Sequence, residues 1–304
     1  MRPHLLLLVP VLFLGACNVF EGLASDELSS GAGTLVADGR AALGSGKTEE
    51  AVKIFEKAIA TAPATTFDGR AARLGLASAI LQRAGLTVLT LNRLVTDLNN
   101  VTKTVGTAAF NPASAFGASA NPVCSFGAGE TVVGNIDLEK IDGYAALRSN
   151  TAVLARAQAL VAEALGLSAN ATRAEIEARA QALLQAGGDT SLLAGALADG
   201  AIADIGIAYD KIVKAGAADI RWVVLTSPGA PDRYVGYCAP SAEVKMRVEK
   251  ETACAMPVIE RAVSMIEIRA ALFPAGSLAT DISKQAREGY TTLNRELKGT
   301  CTPG

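Results

Sequence analysis

The sequence predicts an all-α protein: antiparallel helical hairpins, paired at the N-terminal end and packed on a C-terminal helical bundle. Two observations carry the prediction. Aromatic residues make up only 5% of the chain while alanine is abundant, which favours close-packed helices over a β-sandwich. Helix-start patterns also recur, at Thr48, Asp137, Thr172, Asp189 and Ser241, each a short polar side chain that can cap the helix after it.

Residues 1–16 read as a removable signal peptide. Arg2 leads into an apolar run from Leu5 to Leu14, interrupted only by Pro10 and followed by Gly15 and Ala16. That run is too short to span a bilayer. Leu14-Gly15-Ala16-Cys17 resembles the lipobox of bacterial lipoproteins. The resemblance implies cleavage just before Cys17, a diacylglycerol group on its sulfur and usually an acyl group on the new amine. Two or more chains hold a protein on a membrane where one does not. The next residue is Asn18 rather than aspartate, which in diderm lipoproteins implies the outer membrane, facing the periplasm. Residues 17–25 form the lipidated tether.

Residues 26–105 are expected to form helical hairpins. Leu35-x-x-Asp38-Gly39-x-x-Ala42, Gly46, Ala51-x-x-x-Phe55-x-x-Ala58 and Pro63 resemble one tetratricopeptide repeat. In that family small residues let two helices approach, an aromatic fills the seam, and proline stops the second helix. The resemblance makes Phe55 a seam residue and a binding candidate. Leu35, Asp38 and Ala42 depart from the family's tryptophan, leucine and tyrosine. A weaker copy follows at an offset of 39 residues, taking Leu35 to Leu74, Gly39 to Ser78, Ala42 to Leu81, Gly46 to Gly85 and Phe55 to Leu94. Stable stacking needs about three units, so these pairs must pack on something else. The second helix is expected from about Thr48, with Glu49 and Glu50 suiting its positive end.

Residues 106–136 break the helical rhythm with Gly, Ala, Ser, Asn and Pro, and read as a functional loop or an insertion. Phe110, Phe116 and Phe126 would tie it to the body or form a recognition surface. Residues 137–304 read as a disulfide-stapled helical region. Asp137 can cap a helix to about Gly166, and Thr172 with Glu175 forms a capping-box pattern for a helix to about Ala186. Residues 190–215 read as one or two buried helices, apolar on more than one face. Asp199, Asp204 and Asp210 recur there at spacings that hold no single face, and are expected at a solvated edge. Around Trp222 the β-branched content permits a strand, while the setting favours a helix end. Ser227-Pro228-Gly229 marks a turn. Trp222, Tyr234 and Tyr237 form an aromatic cluster and are binding candidates, with packing the commoner duty of such residues. Ser241 opens a long helix that Pro257 should kink or divide. Phe273-Pro274-Ala275-Gly276 then turns the chain into a final helix, from Ser277 to Lys298.

Once the signal is removed the chain carries 27 Lys+Arg against 30 Asp+Glu, a formal charge of 27 − 30 = −3. No run of like charge stands out, so no nucleic-acid partner is expected. No later segment offers about eighteen uninterrupted apolar residues, so no second membrane passage is expected. The single histidine, His4, leaves with the signal, which excludes histidine-based triads and histidine-ligated zinc or haem sites. No metal site and no cofactor is expected. Cys124, Cys238, Cys254 and Cys301 read as two disulfides, with three possible connectivities. Their surroundings favour Cys124–Cys238, with Cys254–Cys301 closing a C-terminal hairpin.

These features point to a membrane-anchored periplasmic lipoprotein, not an enzyme. It would act as a protein- or peptide-binding scaffold or as an accessory subunit of an envelope or transport assembly. The alternative is a binding protein for a small apolar ligand or lipid. A histidine-independent enzyme would need two carboxylates, or a serine and a lysine, converging in one cleft.

Overall fold

The computed structural model describes residues 31–90, 93, 111–117, 120–126, 129–136, 146–226, 234–296 and 301. Cys17, Leu94, Phe110 and Asp137 lie outside the described residues. The chain is mostly helical, and it also contains a four-stranded antiparallel sheet, so the all-α expectation is too narrow.

Helices α1 (Ala32–Gly44) and α2 (Thr48–Thr61) form a hairpin, and α3 (Phe67–Arg83) packs against both. Thr48 is the first helical residue and Lys47 occupies the cap position. Phe55 is fully buried where the three helices meet. The approach is close because Gly39 and Gly75 flank the ring: a Cβ on Gly39 would come within 2.7 Å of it, and one on Gly75 closer still. Gly46 (φ 77°) and Gly85 (φ 74°) close their helices with the same left-handed turn. In both, a backbone amide reaches five residues back at 2.9 Å, Lys47 to Ala42 and Leu86 to Leu81. The same closing turn recurs at Gly166 and Gly187, with amides of Leu167 and Gly188 reaching back to Ala162 and Leu183, so it is this chain's general helix stop.

The segment expected as a loop holds a short helix, α4 (Pro112–Phe116), and strands β1 (Val123–Cys124) and β2 (Thr131–Ile136). Their partners are β3 (Arg221–Thr226) and β4 (Tyr234–Ala239). The sheet order is β1-β4-β3-β2, with a register shift between Val132 and Gly134. Trp222 thus sits in a strand, not at a helix end, because β3 is claimed by pairing partners on both sides. Such long-range pairing is invisible in a short apolar run read alone. Arg221 lies over the Phe116 ring, 5.6 Å from its centre, fastening α4 to the sheet.

Four further helices make the bundle: α5 (Thr151–Leu165), α6 (Arg173–Gln185), α7 (Thr190–Lys214) and α8 (Ala242–Ala270). Helix α9 (Leu278–Glu296) follows the predicted turn. Local chemistry sets the starts. Thr172 and Glu175 make the reciprocal capping box, Asp189 accepts from the Leu192 amide at 2.6 Å, and Ser241 from that of Val244 at 3.3 Å. Gly166 ends α5 in the left-handed region. Pro257 does not divide α8; buried residues on both sides of it, Thr252 and Ala255 before, Ala262 after, hold one helix. Arg287 on α9 binds Glu267 at 2.7 Å and Glu260 at 2.9 Å on α8, which raises its already high pKa.

Helix α7 is the axis of the bundle. It has the length and apolarity of a membrane span, yet 72% of its most apolar window is buried against neighbouring helices. Antiparallel to it, α8 places Arg261 at Asp204 and Arg247 at the Ala215 carbonyl. The sheet caps the end where α7 finishes and α8 begins. There Tyr237, Ala239 and Ile220 form a small second core with Val248.

Candidate functional site

The chemistry of this fold is concentrated on α7. Because that helix is buried nearly all round, each polar side chain on it must find a partner inside the bundle. Asp204 is 1% exposed. Its two oxygens accept from Arg261 Nη2 at 2.6 Å and Nε at 2.7 Å, and from Gln158 Nε2 at 2.7 Å. Arg261 is spent further on the α5–α6 turn, donating to the carbonyls of Ser168 at 3.1 Å and Ala169 at 2.6 Å. This is a fork-on-carboxylate pair with its remaining donors satisfied, the arrangement that offsets desolvation best. Beside it lies a cavity of about 10 Å³, bordered by Val161, Leu167, Gly200 and Met265, with room for about one water.

Asp199 sits one and a half turns earlier and is treated differently. Ser78 on α3 donates its hydroxyl to Asp199 Oδ2. The nearby charge is Arg269 on α8, whose Nε is buried without a hydrogen-bond partner among the described residues. Burial pushes the Asp199 carboxyl up to about 7, against the opposing pull of Ser78 and Arg269. Burial likewise lowers the Arg269 pKa, with Asp199 acting the other way. The pair is thus a buried proton acceptor poised near neutrality beside an incompletely satisfied cation.

Two of the three aspartates expected at a solvated edge are therefore interior, and only Asp210 fits that expectation, pairing with Lys214 at 2.6 Å. The irregular spacing does not put Asp199 and Asp204 at an edge, because α7 is enclosed along this stretch and residues pointing in different directions are both inside. The apolar-all-round pattern was the available signal: a carboxylate on such a helix has no water to face. Nothing in the sequence named Ser78, Gln158, Arg261 or Arg269 as partners.

The binding candidates fall mainly in packing positions. Phe55 is enclosed in the core and offers no surface. Tyr237 is 1% exposed and donates its hydroxyl to Glu249. Trp222 is half-buried with its ring centre 5.6 Å from that of Tyr237, and its indole N–H is buried without a partner among the described residues. Tyr234 lies on β4, opposite Leu225 of β3. Trp222 and Tyr237 thus meet as expected, as the lining of the second core.

The cysteines pair as Cys124–Cys238 and Cys254–Cys301. The first joins β1 to β4 at directly opposed positions, and the second fastens Cys301 to α8. No protein family, curated protein or solved structure matches this chain. Ser78 and Asp199 bring a hydroxyl to a carboxylate, and Asp204 meets Arg261 and Gln158 separately, all inside a packed bundle where each contact couples one helix to another.

Proposed function

We propose that the protein is a lipid-anchored helical scaffold of the bacterial cell envelope. It would be held at the outer membrane through Cys17, facing the periplasm, and bind a protein or peptide partner as part of an envelope or transport assembly. One observation carries the reading: the lipobox cysteine stands apart, while the other four cysteines pair off in two disulfides. Disulfides belong to exported chains, and a fifth thiol placed right after a short apolar signal is the substrate of lipid transfer.

The glycine-flanked Phe55 in the seam of α1, α2 and α3 supports tetratricopeptide-like hairpins at the N-terminal end. A rigid helical body with its polar chemistry turned inward suits holding over catalysis.

The test is in intact envelopes. The mass of the mature N-terminus should be that of a chain starting at a lipidated Cys17, and Cys17→Ser should release the protein from membranes. Crosslinking followed by purification of the lipidated form should recover a partner that the Cys17→Ser form loses. An unmodified N-terminus, or cleavage elsewhere, refutes the anchor. Recovery of no specific partner refutes the scaffold.

A further inference from the structure

The two disulfides are not equivalent. Cys238 is 0% exposed, and Cys124 is held directly opposite it by the pairing of β1 with β4. Cys254 on α8 is half-buried and Cys301 is exposed. A thiol in solution therefore reaches Cys301 and not Cys238. The consequences of opening differ as well. Strand pairing keeps Cys124 and Cys238 side by side once reduced, so that bond re-forms at high effective concentration. Cys301 sits 47 positions along the chain from Cys254, beyond α9, and stays near it only while α9 stays on α8.

Helix α9 is packed firmly at one end only. Ala279 and Ile282 are buried near its start, and Ala286 lies against the main core. Among the described side chains beyond Ile282, none is buried. The later half meets α8 through polar contacts: Arg287 with Glu267 and Glu260, and Tyr290 through a hydrogen bond to Glu260. The Arg287 side chain is 34% and that of Glu260 39% exposed, so salt screens the pair and its hold is weak. Parting them strands no buried charge. Glu260 already faces water, and Glu267 also accepts from Arg173 of α6 at 2.7 Å.

We propose that Cys254–Cys301 is an exchangeable latch, the substrate of a dithiol oxidoreductase, and that opening it releases the later half of α9 from α8. Exposed disulfides are the labile ones. A thiolate of the reductant attacks Cys301 Sγ and forms a mixed disulfide. The Cys254–Cys301 bond breaks, and its electron pair stays on Cys254 Sγ, which takes up a proton. The reductant's second thiol then attacks the mixed disulfide, freeing Cys301 as a thiol and leaving the reductant as a disulfide. Two electrons and two protons pass from the dithiol to the protein. The Cys124–Cys238 bond persists, so the sheet stays closed while α9 loosens. The latch is independent of lipid at Cys17.

The first test locates the reaction. The folded mature protein, with any free thiol blocked by N-ethylmaleimide, is incubated with reduced thioredoxin as the dithiol probe and quenched in acid. New thiols are located by isotope-labelled maleimide and peptide mass. Cys254 and Cys301 should be labelled at least about tenfold faster than Cys124 and Cys238. A thioredoxin lacking its second cysteine should be trapped on Cys301. Equal rates, earlier release of Cys124 and Cys238, reaction only in denaturant, or trapping on Cys254 overturns the assignment. Hydrogen exchange then reads the release. In the selectively reduced parent and in C254S/C301S, amides of residues 287–296 should exchange about tenfold faster than in the oxidised protein. High salt or added R287Q should quicken them further, while α7 and α8 keep their protection. Unchanged exchange in α9 refutes the release. Loss of protection throughout α7 and α8 refutes it too, because the bond is then a staple of the whole bundle.

Discussion

Replacing Asp199 by asparagine isolates the buried carboxyl and should remove its share of the pH dependence of stability. In the folded chain this group titrates at about 7, against 3.8 for an unperturbed aspartate. Between those values the folded protein keeps a proton that the unfolded chain gives up. Stability is therefore lost as pH rises from about 4 to about 7, and the loss levels off above 7. About three pH units at roughly 1.4 kcal/mol each give on the order of 4 kcal/mol. Asp199→Asn keeps the size and stays neutral, and its carbonyl can still accept from Ser78. The variant should match the parent near pH 4 and exceed it by up to about 4 kcal/mol at pH 8. Asp189, Glu175 and Glu267 have lowered pKa values and pull the other way, but they are common to both proteins and cancel in the difference. Urea unfolding across pH 4 to 8.5 reads the effect. With a slope of about 3 kcal/mol/M for a chain of this size, the midpoints should separate by roughly 1 M at pH 8. Curves that stay parallel across the range, or a parent more stable at pH 8, refute the reasoning.

Three further changes test other parts of the fold by urea or thermal unfolding. Asp204→Ala leaves the Arg261 guanidinium buried and unpaired, which should cost about 3–5 kcal/mol, whereas combining Asp204→Leu with Arg261→Met should recover most of it; a single-variant loss below about 1 kcal/mol contradicts the pairing. Gly75→Ala drives a methyl into the Phe55 ring and should cost about 1–3 kcal/mol, less when Phe55→Leu is present; strictly additive losses would mean the two side chains do not meet. Removing the Cys124–Cys238 bond, whose partners are 114 residues apart, as the double serine variant should lower stability by about 4–5 kcal/mol in the chain-entropy account, and a loss under about 1 kcal/mol would show that β1 contributes little to holding the sheet.

What could be read from the sequence was mostly local. Thr172 with Glu175, Asp189, Ser241 and Gly166 mark helix ends because each acts on a backbone group within a few residues. The disulfide pairing followed from the surroundings of each cysteine. The sheet escaped because its strands come from residues 123–136 and 221–239: the β-branched run at Trp222 permits a strand, but partners for it lie in a Gly- and Pro-rich segment that reads as a loop. The Asp199 and Asp204 seam escaped for a related reason. Their partners lie on α3, α5 and α8, 46 to 121 residues away, so only the three-dimensional packing turns an irregular aspartate spacing into a paired interior.

The order of the disulfides bears on how such a chain matures. Cys124 joins the next cysteine in sequence, Cys238, and Cys254 joins the one after it, Cys301. A chain crossing a membrane N-terminus first presents these thiols in that order. An oxidase that couples each thiol to the next to emerge makes both native bonds directly, and no wrong bond has to be broken. If the chain is exported as proposed above, β1 has no strand partner until β4 has crossed, because β4 is its neighbour in the sheet.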